Sequence, residues 1–152
     1  MDLRGRAAVV TGGARGIGRA ISVELARAGT DVCVNFRTSE AAANRTVREL
    51  VGLKSDAFAV RADVTKARDA KRLVDAAARR YGHLDILVNN VGDFLVKRID
   101  ATSEAEWRQV LESNLTSMFL CTKAALPHLR KRKWGRVVNL ACAGAYRAHG
   151  TA

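Results

Sequence analysis

The sequence predicts an α/β protein, a doubly wound parallel sheet with helices on both faces in three α/β/α layers. Short β-branched runs alternate with helical patterns about a dozen residues long, the signature of successive βαβ units. The first run passes through a glycine-rich stretch, residues 11–18, directly into a helical pattern. Aromatic residues make up only 5% of a chain that is 48% hydrophobic, which suits small side chains packing helices on a sheet better than an aromatic-rich sandwich. At 152 residues, with no linker, repeat or low-complexity tract, positions 1–152 read as one folding unit.

The elements follow in order. Arg6 to Thr11 (RAAVVT) is the first strand, and Gly16 to Ala28 a helix whose inward face carries Ile17, Ile21, Leu25 and Ala28, with Gly29 as its stop. Asp31 to Phe36 (DVCVNF) is the second strand. The next helix has the stripe Ala43, Val47, Leu50 and Val51, and Ala57 to Val60 is the third strand. Thr65 is placed to cap a helix bearing Ala70, Leu73, Val74, Ala77 and Tyr81, closed by Gly82 before strand Leu84 to Asn89. Ser103 and Glu106 form a capping box for the longest helix, whose stripe is Trp107, Val110, Leu111, Asn114, Leu115 and Met118. Arg136 to Leu140 is the last clear strand.

Composition excludes several functions. No apolar run approaches the roughly 18 residues a bilayer requires, and the N-terminus carries Asp2 and runs into a motif, so a cytoplasmic protein without a membrane partner is expected. Cys33, Cys121 and Cys142 are odd in number, lack CxxC spacing and lie in apolar stretches, which predicts buried, reduced thiols. His83, His128 and His149 show no metal-ligand spacing, and no metal is expected. The net charge of +11 raises the question of nucleic acid. The basic residues, however, are scattered along helices, and the cluster Arg130–Lys133 sits where a helix C-terminus favours cations, so a solvated face is the better reading.

The chemistry concentrates in Thr11-Gly12-Gly13-Ala14-Arg15-Gly16-Ile17-Gly18, between the first strand and the first helix. Glycines there let the chain turn sharply, bring backbone N–H groups against a pyrophosphate and pack helix close to strand, while the helix N-terminus favours negative charge. A plain strand-to-helix turn needs one glycine and leaves three unexplained.

The segment TGGARGIG matches the TGxxxGxG pattern of the short-chain dehydrogenase/reductase family at Thr11, Gly12, Gly16 and Gly18, and other matches follow in order. Asp63-Val64 resembles the family's adenine-contacting pair. Asn89-Asn90-Val91-Gly92 resembles its NNAG motif. Asn114 matches the Asn of its catalytic tetrad, and GRVVNL precedes the place of the catalytic Ser. The whole chain resembles the N-terminal part of that family, and within it is similar to bacterial 3-oxoacyl-acyl-carrier-protein reductases and glucose dehydrogenases. The resemblance implies a Rossmann-type sheet ending here after about the fifth strand. It also implies hydride transfer between nicotinamide and a small-molecule carbonyl or alcohol, and homo-oligomers formed through the 103–130 helix in complete relatives.

By this resemblance Thr11, Gly12, Arg15, Gly16, Ile17, Gly18, Arg37, Asp63, Val64, Asn90 and Gly92 are candidate cofactor-binding residues, and Asn114 and Cys142 candidate catalytic ones. Asn114 also reads, from the residues alone, as an inward amide that ties helix to strand, and Asn90 as a turn former. Cofactor choice is legible at the end of the second strand, where NAD-preferring enzymes place an acidic residue and this chain has Phe36. Arg37 follows, and with Arg15 it is suited to charge-assisted bonds to a 2′-phosphate, so NADP(H) is expected over NAD(H); the alternative is two solvated surface arginines in an arginine-rich chain.

Two departures stand against the family pattern. Asn139-Leu140-Ala141-Cys142 puts Cys142 at the place of the catalytic Ser, and a thiol is the weaker donor to a carbonyl. No His is placed to activate it as a nucleophile. The family's YxxxK, which supplies the general acid, is absent from these residues: Tyr146 comes too early and Gly150 stands four beyond it. The expectation is an oxidoreductase lineage whose present chain is inactive alone. The alternative is a non-catalytic NADP(H)-binding module, and a basic nucleic-acid-binding protein is a third reading.

Overall fold

The structure, a computed structural model, describes residues 2–142, so Tyr146, His149 and Gly150 lie outside the described residues. Five parallel strands, β1 (Ala7–Val10), β2 (Asp31–Phe36), β3 (Ala57–Arg61), β4 (Ile86–Asn89) and β5 (Arg136–Asn139), form one sheet in the order β3-β2-β1-β4-β5. This is the doubly wound arrangement, and the order reverses between β1 and β4. The helices are α1 (Gly16–Arg27), α2 (Glu40–Gly52), α3 (Ala67–Tyr81), α4 (Glu104–Leu111) and α5 (Ser117–Lys131).

Period-2 alternation divides the core. Ala8, Val10, Val32, Val34, Phe36, Ile86 and Val88 pack with residues of α1 and α2, including Val23, Ala26, Ala43 and Leu50. Val9, Cys33 and Leu87 face α3 and α5, where Leu73, Val74, Ala77, Cys121, Ala125 and Leu129 close the other layer. Burial raises the thiols of Cys33 and Cys121, the latter to about 12, and so keeps both unreactive.

Several helix faces differ from expectation. In α1 the buried residues are Gly18, Ser22, Val23 and Ala26, and Ile17 is exposed. The close approach of α1 to β1 rotates the small residues inward and turns Ile17 out. Val51 on α2 is likewise exposed, with Thr46 buried instead. Thr65 is not the cap of α3; its hydroxyl donates to Asp63 Oδ1 (2.7 Å) and the helix starts after Lys66. Gly82 does close α3, at φ +75.

The capping box at Ser103 and Glu106 is present. The expected single long helix is instead α4 and α5 joined by a π-helical turn, Glu112–Thr116. Trp107, Leu111 and Leu115 are exposed because α4 buries no residue and packs on no strand among the described residues, while past the π turn α5 buries Ser117, Cys121, Ala125 and Leu129. Cys142 is exposed, against the expected burial. β5 is an edge among the described residues, with all four residues exposed. No helix among the described residues is long and apolar enough to cross a membrane.

At the N-terminal edge of the sheet, Asp85 is fully buried and joins the two central strands. Its carboxylate accepts from the Ala7 N–H (3.0 Å) and from Arg6 Nη1 (3.1 Å), with His83 Nε2 at 3.2 Å. Arg6 also stacks 4.0 Å from the Trp134 ring centroid. Removing one member of a buried charge pair strands the rest, so Asp85→Ala should cost about 3 kcal/mol in urea unfolding. A loss below ~1 kcal/mol would mean that Asp85 does not hold β1 to β4.

Candidate functional site

The C-terminal ends of β1, β2, β3 and β4 open on a cleft of about 550 Å³ at the point where the strand order reverses. Its first wall is the turn between β1 and α1. Gly16 lies at φ +53, and a Cβ added there would meet nothing within 4 Å, so its backbone faces the open cleft. Gly18 is the opposite case, since a Cβ there would collide with the Gly12 carbonyl oxygen and lie 2.6 Å from Asn90 Nδ2. Strand end, helix start and the segment after β4 therefore touch, and α1 aims its N-terminus into the cleft.

Thr11 and Asn90 tie this turn to β4. The N–H groups of Asn90 and Val91 donate to Thr11 Oγ1 (2.9 and 3.1 Å), and Asn90 Nδ2 donates to the Thr11 carbonyl (2.9 Å). Thr11 is itself buried behind the wall, whereas Gly12, Arg15, Gly16, Ile17, Gly18, Arg37, Asp63, Val64, Asn90 and Gly92 all line the cleft. Ile17, turned out of the core, is part of that lining.

The far wall comes from the ends of β2 and β3. Phe36 ends β2 and is buried, and the exposed Arg37 follows it. Among the described residues neither Arg15 nor Arg37 has a carboxylate partner, so two unneutralised guanidiniums border the cleft. Asp63 Oδ1 accepts from the Thr65 N–H (3.1 Å) and hydroxyl, while the Asp63 N–H donates to Asp69 Oδ2 (2.8 Å). That N–H, with Arg72, holds the Asp69 carboxyl below its usual range.

Asn114 lies in the π turn and is half-buried rather than sealed in the core. Its Nδ2 donates to the carbonyls of Asp93 and Val110, both at 2.9 Å, and its Oδ1 would stand 2.5 Å from a Cβ on Gly92. Gly92 is thus small because the amide needs the room. Cys142 does not line the cleft. Asn35, Thr38, Ser39, Val91, Asp93 and Ser113 line it and were not anticipated. Of these Val91 lies inside the Asn89–Gly92 motif, and Asn35 carried a weaker signal as the lone amide in the apolar run DVCVNF.

A five-stranded doubly wound sheet with a glycine-lined cleft at its reversal point defines a Rossmann-type nucleotide-binding protein. The short chain dehydrogenase family profile matches residues 6–151, and the chain belongs to the short-chain dehydrogenase/reductase family of oxidoreductases. It is similar to a 3-oxoacyl-acyl-carrier-protein reductase of Staphylococcus aureus, 37% identical over 138 residues that cover 89% of this chain and 55% of the relative. Among solved structures it is similar to a short chain dehydrogenase from Burkholderia cenocepacia in complex with NADP, with TM-score 0.91, 33% identity, and 99% of this chain and 60% of that one covered. It is equally similar to a 7α-hydroxysteroid dehydrogenase complexed with NADH, with TM-score 0.92, 33% identity, and 97% and 57% covered. The chain spans about half the length of the curated relatives it matches, 53% to 55%.

The two glycines predict different failures. Gly18→Ala forces backbone apart and should lower stability by about 1–3 kcal/mol. Gly16→Val meets no neighbour but is strained at φ +53, so it should lower stability by about 1–2 kcal/mol and, at a temperature where circular dichroism shows it folded, lose dinucleotide binding, because its side chain enters the open cleft. Normal NADPH titration of a folded Gly16→Val chain would show that this turn is not the phosphate site.

Proposed function

We propose that the cleft holds NADP(H) in preference to NAD(H), and that the lineage's reaction is hydride transfer between a nicotinamide and a small carbonyl or alcohol. The observation that carries the preference is the pair of unneutralised arginines, Arg15 and Arg37, beside a strand that ends in Phe36 instead of an acidic residue. The open backbone at Gly16 fits a pyrophosphate, and Asp63 and Val64 at the far wall fit an adenine. Bound nicotinamide would supply the hydride at its C4. A relative with NADP and another with NADH show that the family's fold accommodates both, so the choice rests on this chain's own residues.

The protein's residues hold and orient. Asn90 and Thr11 fix the turn, and Asn114 fixes the segment after β4 through the Asp93 carbonyl. Asn114 Nδ2 is committed to carbonyls and its Oδ1 lies against Gly92, outside the cleft lining, so in this reading its part is to position the Gly92–Asp93 segment. The 152 residues carry no YxxxK, and Cys142 replaces the family's Ser, so we assign these residues cofactor binding without turnover on their own. We further assign a cytoplasmic location and, in the whole protein, pairing of two copies through the helix region 103–130, where Trp107, Leu115 and Phe119 are exposed.

Calorimetric titration tests the preference. Charge-assisted bonds worth about 1.5–3 kcal/mol predict roughly tenfold to hundredfold tighter NADP(H) binding, most of it lost in Arg37→Ala. Equal affinities for both cofactors, or no change in Arg37→Ala, would contradict it.

Turnover and association are tested together. An NADPH-oxidation assay on simple ketones should read no rate. Size-exclusion chromatography should show self-association through the exposed β5 and α4–α5 apolar surface. A stable monomer that reduces a ketone would overturn both.

A further inference from the structure

Asn35 is 1% exposed on β2, and by alternation it shares the face of Cys33, which packs in the apolar layer under α3 and α5. A buried amide is retained only where its donors and acceptor are met. Here its Oδ1 accepts from the Gly12 N–H (3.1 Å), and its Nδ2 donates to the carbonyls of Ala62 (3.0 Å) and Val60 (3.3 Å). The amide therefore bridges β2's two neighbours, from the glycine turn after β1 to the last residues of β3. Gly12 is held from both sides, because Asn90 Nδ2 reaches its carbonyl oxygen at 3.4 Å. Ala62 immediately precedes Asp63 and Val64, the far wall of the cleft.

We propose that Asn35 is a positioning residue for the cofactor: its amide locks the phosphate-facing turn at Gly12 to the adenosine wall at Ala62–Val64, and so sets the distance between them. The proposal rests on the reading of the cleft as an NADP(H) site. A hydrophobic residue of similar size would fill the volume but leave the Gly12 N–H and the Ala62 carbonyl without their partner, and each wall would then settle independently. A carboxylate would still accept from Gly12 but repel the two carbonyls.

The test compares affinity with stability in the full chain. NADPH and 2′,5′-ADP are titrated into wild type, Asn35→Ala, Asn35→Ser and Ser55→Ala, at a temperature where circular dichroism shows each folded. Ser55 is the control, a buried hydroxyl that donates to the Thr30 carbonyl (2.9 Å) at the opposite edge of the sheet. Asn35→Ala should bind both ligands about tenfold more weakly, the equivalent of one lost hydrogen bond. Ser55→Ala should lower the melting temperature and leave both affinities unchanged. If Asn35→Ala fails to fold, Asn35→Ser, which is neutral and too short to span from Gly12 to Ala62, carries the same expected loss.

Folded Asn35 variants that bind like wild type would overturn the proposal and leave the cleft reading intact. Wild type that binds neither ligand would overturn the cleft reading, and the proposal with it.

Discussion

The site depends on one steric constraint: the start of α1 touches the end of β1, with no room for a Cβ at Gly18 between the Gly12 carbonyl and Asn90. That contact brings the helix N-terminus to the strand edge, so the orphan N–H groups of its first turn face the cleft instead of protein. Ser22, one turn along, donates its hydroxyl to the Gly18 carbonyl (2.9 Å) and keeps the inner face of α1 small. The strand order then places β4 beside β1, which lets Asn90 reach the turn from the other side. A larger residue at position 18 would separate all three elements at once.

The two ends of the sheet hold together by different means. At the N-terminal edge a buried charge, Asp85, pins β1 to β4 with the help of Arg6 and the Ala7 N–H. At the C-terminal edge neutral amides and a hydroxyl, Asn35, Asn90 and Thr11, do the joining. Neutral groups suit that edge because they fix backbone without adding a negative charge near a phosphate. The chain's excess of cations is distributed around this framework, and at the cleft it takes the specific form of Arg15 and Arg37.

Much of the fold was legible because β strands buried on both faces and helices with one buried face leave different periods. The βαβ alternation, the Gly82 stop and the capping box at Ser103 and Glu106 all read directly. Helix orientation was less legible. Ile17 and Trp107 look like core residues by hydrophobicity, yet small residues face the sheet in α1, α4 packs on no strand among the described residues, and the π turn at Glu112–Thr116 re-aims α5 relative to α4. A five-residue change of pitch has no signature in apolar spacing. The glycine turn was legible as a motif, whereas Asn35 showed only as a lone amide in an apolar run, and its partners stayed hidden because its bridge from the β1 turn to β3 is long-range. Cys142 was expected to be buried from its apolar flanks, but it follows an edge strand whose residues are all exposed.

The central claim is that the cleft above β1 and β4 is the dinucleotide site. Amide chemical shifts followed during NADP+ titration of the isotope-labelled chain test it most directly. The account predicts large, saturable shifts at Gly16, Gly18, Arg37, Val64 and Asn90, with the α3–α5 groove around Arg79, His128 and Lys131 unchanged. Shifts confined to that basic groove, or none that saturate at the glycine turn, would contradict it.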